Sequence, residues 1–154
     1  MPAQAKIRVA TERDLPRLIE LLAQLEMDAS REIVGSPVLP SYLQAFEEIT
    51  NDPRQQLFVL EVDQRVVSSA CLTIIPNLSH RGRPYAIAEN VVVDAECRSS
   101  GYGGLLMRHL LTQAQAAGCY KLSLTSNKQR PDAHRFYQRL GFRATHEGFR
   151  VGFD

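Results

Sequence analysis

The sequence is poor in the residues that mark several specialised classes of protein. Its 154 residues include only three cysteines, Cys71, Cys97 and Cys119. They are odd in number, widely spaced and without a C-x-x-C pair, which argues against a disulfide framework or a zinc site. Neither sign of charge dominates: 18 Lys and Arg stand against 17 Asp and Glu, a net charge of +1. With no polybasic block, nothing in the charge calls for nucleic acid or a membrane surface as partner. The start, "MPAQAKIRVATERD", lacks an apolar core of signal-peptide length, and no run approaches a membrane span. Internal repeats, low-complexity stretches and linkers are missing too. The expectation is one domain over 1–154, large enough to bury a core, in the reducing cytoplasm.

The apolar spacing indicates the order of elements. "IRVAT" (7–11) alternates and reads as a first strand. Leu15, Leu18, Ile19, Leu22 and Leu25 then mark one face of a helix, with Asp14 as its N-cap and Pro16 in its first turn. After the loop "GSPVLP" (35–40), "SYLQAFEEIT" predicts a second helix. "QLFVLEVD" and "RVVSSACLTII" predict a hairpin joined at Asp63-Gln64. The turn region "NLSHRGRP" (77–84) leads into the strand "YAIAENVVV" (85–93). Leu106, Leu110, Ala114 and Ala117 predict a third helix that stops at Gly118. "YKLSLT" (120–125) follows as a strand, "PDAHRFYQRL" as a short helix ending at Gly141, and the tail "FRATHEGFRVGFD" as two more short strands. The order is β-α-α-β-β-β-α-β-α-β-β. It describes a mixed α/β sheet, antiparallel at first and parallel around one crossover.

One turn raises a question of chemistry. "CRSSGYGG" (97–104) puts three glycines between the strand ending in Val91, Val92 and Val93 and the third helix. Glycine there either reverses the chain or lets a ligand approach the backbone closely. A strand, a glycine turn and a helix start are also the parts of an anion site. Two phosphate motifs fail. The P-loop G-x-x-x-x-G-K is missing, and the dinucleotide pattern G-x-G-x-x-G meets Leu106 where its third glycine belongs. What remains is R-x-x-G-x-G, with Arg98, Gly101, Gly103 and the additional Gly104. By itself this pattern fits a bland strand-to-helix turn equally well. About 30 residues on, "AHRFYQRLGF" supplies a second signature in order.

Together, "VVVDAECRSSGYGGLLMRHLL" and "FYQRLGF" resemble the acetyl-CoA motif and the downstream F-Y-x-x-x-G-F segment of the GNAT superfamily of N-acetyltransferases. The element order is also similar to the GNAT fold, so the likeness extends over nearly the whole chain and is strongest from Glu89 to Phe142. The resemblance implies an acetyl-CoA-dependent N-acetyltransferase whose sheet splays between the strands carrying Val93 and Leu124. It implies that Val91, Val92 and Val93 offer backbone groups to the pantetheine arm. Arg98, Ser99, Ser100, Gly101, Tyr102, Gly103 and Gly104 would wrap the pyrophosphate. Two positions depart from the pattern. Cys97 stands where an aromatic residue is common. Arg130 stands where many members carry asparagine, with Asn127 three residues earlier. Either Asn127 makes that polar contact or Lys128 and Arg130 serve the CoA phosphates.

The chemistry sets demands of its own. An alkylamine with pKa near ~10.4 is about one part in ~2,500 neutral at pH 7, so attack on a thioester needs a base or a desolvating pocket. Glu89, in an otherwise apolar strand, resembles the base or water-positioning residue of several family members; a surface residue or an ion-pair partner is the alternative. The leaving thiolate needs a proton. Tyr137 matches the family's general acid, against the alternative of a core tyrosine whose hydroxyl is satisfied nearby. A backbone N–H near Val91 or Val92 would polarise the thioester carbonyl. His80, His109, His134 and His146 show no metal spacing, so no metal is expected, and neither Cys97 nor Cys119 has a His/Asp partnership for a nucleophile. The resemblance places the acceptor against the first two helices and the last hairpin. These carry Glu26, Asp28, Glu32, Glu47, Glu48, His146 and Glu147, an acidic rim suited to a cationic amine or only a solvated face. Arg81 and Arg83 of "SHRGRP" would instead meet an anionic group such as phosphate. A small-metabolite amine is favoured over a protein, and the family's habits leave room for a homodimer. The competing class is a non-catalytic acyl-CoA-binding regulatory or interaction module of the same fold.

Overall fold

The computed structural model describes residues 4–25 and 31–153. They fall into two compact units, the first running to Ser123 and the second from Leu124.

The first unit is built on an open sheet in the order β1-β2-β3-β4-β5: Ala5–Val9, Gln55–Val62, Arg65–Ile75, Tyr85–Val93 and Leu122–Ser123. The first four strands pair antiparallel and β5 lies parallel to β4. Between them come α1 (Leu15–Ala23), α2 (Pro40–Asn51), the single turn α3 (Ser79–Gly82) and α4 (Tyr102–Ala116). The mixed sheet with one parallel crossover is thus the architecture that the apolar spacing indicates. The β2–β3 connection is a two-residue turn in which Asp63 (φ 50) and Gln64 (φ 67) are both left-handed, as a tight hairpin requires.

Both faces of the sheet are covered. Along β2, Phe58, Val59 and Leu60 are all buried, although successive strand residues point to opposite faces. Val59 joins Leu15, Leu18 and Leu21 of α1 in one apolar cluster, whereas the Phe58 ring meets His109 of α4 edge-on at 4.8 Å. Helices α1 and α4 therefore sit on opposite faces. The buried run Val66–Leu72 of β3 is what a strand covered on both sides needs. Ile19 is 2% exposed; Ile19→Val is expected to cost about 0.5–1.5 kcal/mol in chemical denaturation, with an unchanged m-value.

Three sequence expectations need correction. Asp14 stands at the N-cap position of α1, but its carboxylate does not cap that helix. It accepts hydrogen bonds from Arg8 (2.7 and 2.9 Å) and from the Thr11 amide (2.7 Å), because the preceding 3-10 turn, Glu12–Asp14, directs it back toward β1. The strand expected over 120–125 contracts to Leu122–Ser123, since its ladder with β4 holds only Ala86↔Leu122 and Ile87↔Ser123. The two tail strands do not form among the described residues, for a strand lasts only where a neighbour offers its backbone.

The second unit contains one helix, α5 (Pro131–Arg139), opened by Pro131 and followed by Gly141 at φ 98. None of its described residues is buried.

Candidate active site

Two features arise along β4. Ser69 opposes Val92 and Cys71 opposes Glu89, so Ala70 faces both Asn90 and Val91. This is a β-bulge, with Asn90 in left-handed backbone at φ 54. Bulges re-aim side chains and interrupt the ladder, and here the interruption takes in Val91, the first of the three valines. Val92 is buried, and its carbonyl accepts a hydrogen bond from the Ser68 hydroxyl at 2.8 Å. Val91 and Val93 are half-buried, and the Val93 carbonyl accepts from Arg98 Nε at 3.4 Å. Glu89, beside the bulge, is exposed and has no ion-pair partner among the described residues. It is a strand residue facing outward without a cation to occupy it. Burial pushes the Cys71 thiol up, and the Glu89 charge opposite adds to that.

The glycine turn is entered through a clamp. Asp94 is 3% exposed. Its carboxylate accepts from the Glu96 amide at 3.0 Å, which caps the 3-10 turn Ala95–Cys97. The same carboxylate bonds Arg17 of α1 and stands 3.6 Å from Arg65. Arg17 also donates to the Val66 carbonyl at 2.8 Å, and Gln24 Oε1 accepts from the Ala95 amide at 2.9 Å. The segment leading into the turn is thereby fixed to both α1 and β3.

Beyond it, Arg98, Ser99, Ser100 and Gly101 are exposed, whereas Gly103 and Gly104 are buried. Gly101 is the N-cap of α4 at φ 84, and no side chain caps that helix. The first N–H groups of a helix have no acceptor within it, so the amides at Tyr102, Gly103 and Gly104 form a donor set at the positive end of the dipole. The turn therefore has the donors for a pyrophosphate, with Arg98 beside them. Gly101 is required by its backbone angle. Gly104 is not so constrained, because an added Cβ would meet only the end of the Arg108 side chain, at 3.3 Å. Gly101→Ala puts a Cβ in left-handed backbone at a cost of about 1–2 kcal/mol. The expected result is a lower Tm together with weaker CoA binding, read by thermal melting and titration calorimetry.

In the second unit the Tyr137 ring is half-buried between Phe136 and Phe142, with centroids at 5.1 and 5.8 Å. Burial pushes its phenol pKa up, partly offset by the Arg130 charge. Its hydroxyl has no hydrogen-bond partner among the described residues, unlike the hydroxyl of a satisfied core tyrosine. Arg130 opens α5. Asn127 Oδ1 accepts from the Gln129 amide at 2.9 Å, so the asparagine secures its own turn and has its Nδ2 to offer. Ser126 holds a buried hydroxyl with no partner in this unit.

The expected residues thus form two groups. Glu89, Val91–Val93 and Arg98–Gly104 follow one another along β4, the turn and the start of α4; Asn127, Arg130 and Tyr137 accompany one another in the second unit. Arg17, Gln24, Asp94 and the Asn90 bulge were missed by sequence reasoning. An asparagine inside a β-branched run was the available sign of the bulge, since Asn tolerates left-handed backbone. Arg17 carried no sign, because its link to Asp94 is made only by the fold. Among the described residues no group of three or more His, Cys, Asp or Glu side chains could hold a metal ion, and no helix is long and apolar enough to cross a membrane.

The comparisons with known proteins bear on the family and the fold. The profile of the acetyltransferase (GNAT) family matches residues 19–142. A glucosamine 6-phosphate N-acetyltransferase of Trypanosoma brucei brucei is 32% identical, the match covering 95% of this chain and 94% of that one. The uncharacterised N-acetyltransferase YhdJ of Bacillus subtilis is 37% identical over 68% of this chain and 72% of its own. A crystal structure described as a transcriptional regulator from Bacillus halodurans C-125 superposes with a TM-score of 0.93 at 37% identity, over 97% of this chain and 100% of that one. The chain belongs to the GNAT family of acetyltransferases, and it is an N-acetyltransferase.

Proposed function

We propose that the protein transfers the acetyl group of acetyl-CoA to the primary amine of a small metabolite, by direct attack within a ternary complex and within a single catalytic domain spanning both units. The observation that carries this reading is the uncapped start of α4 at Gly101, next to Arg98 and directly after Val91–Val93. A run of backbone donors at a helix start suits the CoA pyrophosphate, with Ser99 and Ser100 in the turn. The valine strand would hold the pantetheine arm through its backbone. Asn127 or Arg130 would make a further polar contact to CoA.

Glu89 takes the proton from the attacking amine, directly or through a water, and its lack of an ion-pair partner leaves it available to do so. As the C–N bond forms and the C–S bond breaks, Tyr137 gives its proton to the departing sulfur. An N–H at Val91 or Val92 bears on the carbonyl oxygen as it gains charge.

For the acceptor, the name of the Trypanosoma relative supports an amino-sugar phosphate. Of the acidic rim, Glu47 lines a cavity of about 480 Å³ with Glu12, Leu43 and Phe46, which suits an ammonium group. Glu32 accepts from Tyr42 at 2.8 Å, and Glu26 and Asp28 lie outside the described residues. Of the two arginines proposed for an anion, Arg83 already bonds the Gly118 and Cys119 carbonyls at 3.4 and 3.3 Å, leaving Arg81 the better placed.

Initial rates over a grid of acetyl-CoA and amine concentrations test this reading. Intersecting double-reciprocal lines are expected, with kcat/KM for glucosamine 6-phosphate at least roughly tenfold above that for glucosamine. Parallel lines with an acetylated protein would replace direct attack by a covalent route. Equal use of the two sugars would remove phosphate from the acceptor.

A further inference from the structure

The far end of α4 borders a cavity of about 470 Å³ that the acetyl transfer does not use. Leu111, Ala114 and Leu122 give it an apolar floor, and the exposed side chains of Arg83, Gln115 and Lys121 stand at its rim. Negative charge is missing from its surroundings. None of the 17 Asp and Glu lies between residues 64 and 88 or between 97 and 131, the segments that supply the whole lining. Accordingly, Arg83 and Lys121 have no ion-pair partner among the described residues. Both are nevertheless held in place. Arg83 donates through Nε and Nη2 to the Gly118 and Cys119 carbonyls, which leaves Nη1 to offer. The Lys121 ammonium stands 5.1 Å from the ring centroid of Tyr85 and 5.5 Å from that of Tyr120, a cation–π arrangement that keeps it at the rim. The Tyr120 ring is itself backed by His80, stacked on it at 3.7 Å.

We propose that this cavity is a second ligand site, one that takes a small organic phosphate with a short apolar body. Two cations and an amide, with no carboxylate to compete, suit the phosphate head. A phosphate monoester carries close to two negative charges at pH 7, which matches the two cations better than a single carboxylate would. The apolar floor suits the body, in the combination of many apolar and few polar groups that small-molecule sites show. The same cations repel an ammonium group, so the acceptor amine belongs elsewhere. The site is also separate from the glycine turn. Gln115 follows Tyr102 by 13 positions on α4, a rise of about 20 Å. The inference is therefore independent of the catalytic roles proposed above, and of Arg81, which does not line the cavity.

Phenyl phosphate, with inorganic phosphate and phenol as its separate halves, tests this by titration calorimetry and by amide NMR shifts, with and without saturating CoA. Phenyl phosphate is expected to bind at least roughly tenfold more tightly than either half, with the shifts gathered at residues 111–122 and unaffected by CoA. Gln115→Glu puts a carboxylate at the rim, and Lys121→Gln removes a cation. Each should weaken binding at least roughly tenfold, whereas Lys6→Gln, which removes the same charge from β1, should leave it unchanged. Lys6, Gln115 and Lys121 are all exposed, so the variants should melt as the wild type does. Inorganic phosphate binding as tightly as phenyl phosphate would overturn the proposal, because the apolar floor would then contribute nothing. So would displacement by CoA, shifts gathered at the glycine turn, or binding indifferent to both Gln115→Glu and Lys121→Gln. Failure of CoA itself to bind would count against the proposed activity and leave the second site to be judged on phenyl phosphate alone.

Discussion

Tyr137→Phe is expected to lower kcat by about 10²–10⁴-fold while changing the Kd for acetyl-CoA far less. The substitution keeps the ring between Phe136 and Phe142 and removes only the hydroxyl, so packing and stability should be nearly unaffected. What is lost is the proton for the departing sulfur, whose conjugate acid has a pKa near ~8.5. The environment of Tyr137 fixes the sign of the pH effect. Burial raises its pKa above the ordinary value, so the phenol stays protonated throughout the neutral range. Activity that depends on it is present at neutral pH and is lost only as pH rises through that raised value, above ~10. The wild-type profile of kcat should therefore fall only on the far alkaline side, and that fall should vanish in Tyr137→Phe. An unchanged kcat in the variant would return Tyr137 to a packing role.

The second large effect is expected at Asp94. Asp94→Ala leaves Arg17, whose side chain is 19% exposed, with only the more exposed Glu20 carboxylate at 3.1 Å, and it removes the acceptor of the Glu96 amide. Breaking one side of a largely buried ion pair costs about 3–5 kcal/mol; with Glu20 retained, denaturant unfolding should show a loss toward the lower end of that range. Asp94→Asn can still accept from the Glu96 amide but cannot pair with Arg17. It should be less destabilised, and the KM for acetyl-CoA should rise more than kcat falls, because the clamp positions the turn before Arg98. Asp94 also predicts an acid limit. The Glu96 amide, opposed by burial and aided by Arg17, holds its carboxyl below the usual carboxylate range. Arg8 does the same for Asp14. A depressed carboxyl contributes stability that is present above the unfolded-state pKa of ~3.9 and lost as pH falls through the folded value. Melting temperature should drop below about pH 4 in the wild type, and less steeply in Asp94→Asn.

Much of this could be read from the sequence because the signals were local. The boundaries of β3 and β4 follow their β-branched runs, the left-handed turn at Asp63-Gln64 needed only two polar residues between strands, and R-x-x-G-x-G opened a helix where its glycines implied. What escaped depends on distant parts of the chain. The strand at 120–125 shortened because its length is set by β4 rather than by its own alternation. The tail alternates as a strand should, and yet it stays unpaired. Asp14 looked like a cap and became an ion-pair partner, since Arg8 on β1 lies within reach only after the chain has turned. Arg17 and Asp94 are 77 positions apart, a separation at which no spacing rule operates. Glu89 and Tyr137 rest on the resemblance; the fold adds a Tyr137 hydroxyl without a partner among the described residues, whereas Glu89 is an exposed strand residue.

The central claim, that this chain turns over acetyl-CoA, is tested most directly by thiol release. Free CoA would be followed from acetyl-CoA across a panel of small amines that includes glucosamine 6-phosphate. The expected result is amine-dependent release, matched one for one by N-acetylated product, saturating in both substrates and strongly reduced in Tyr137→Phe. Stabilisation of the protein by acetyl-CoA with no thiol released for any amine would contradict it and identify a non-catalytic acyl-CoA-binding module instead.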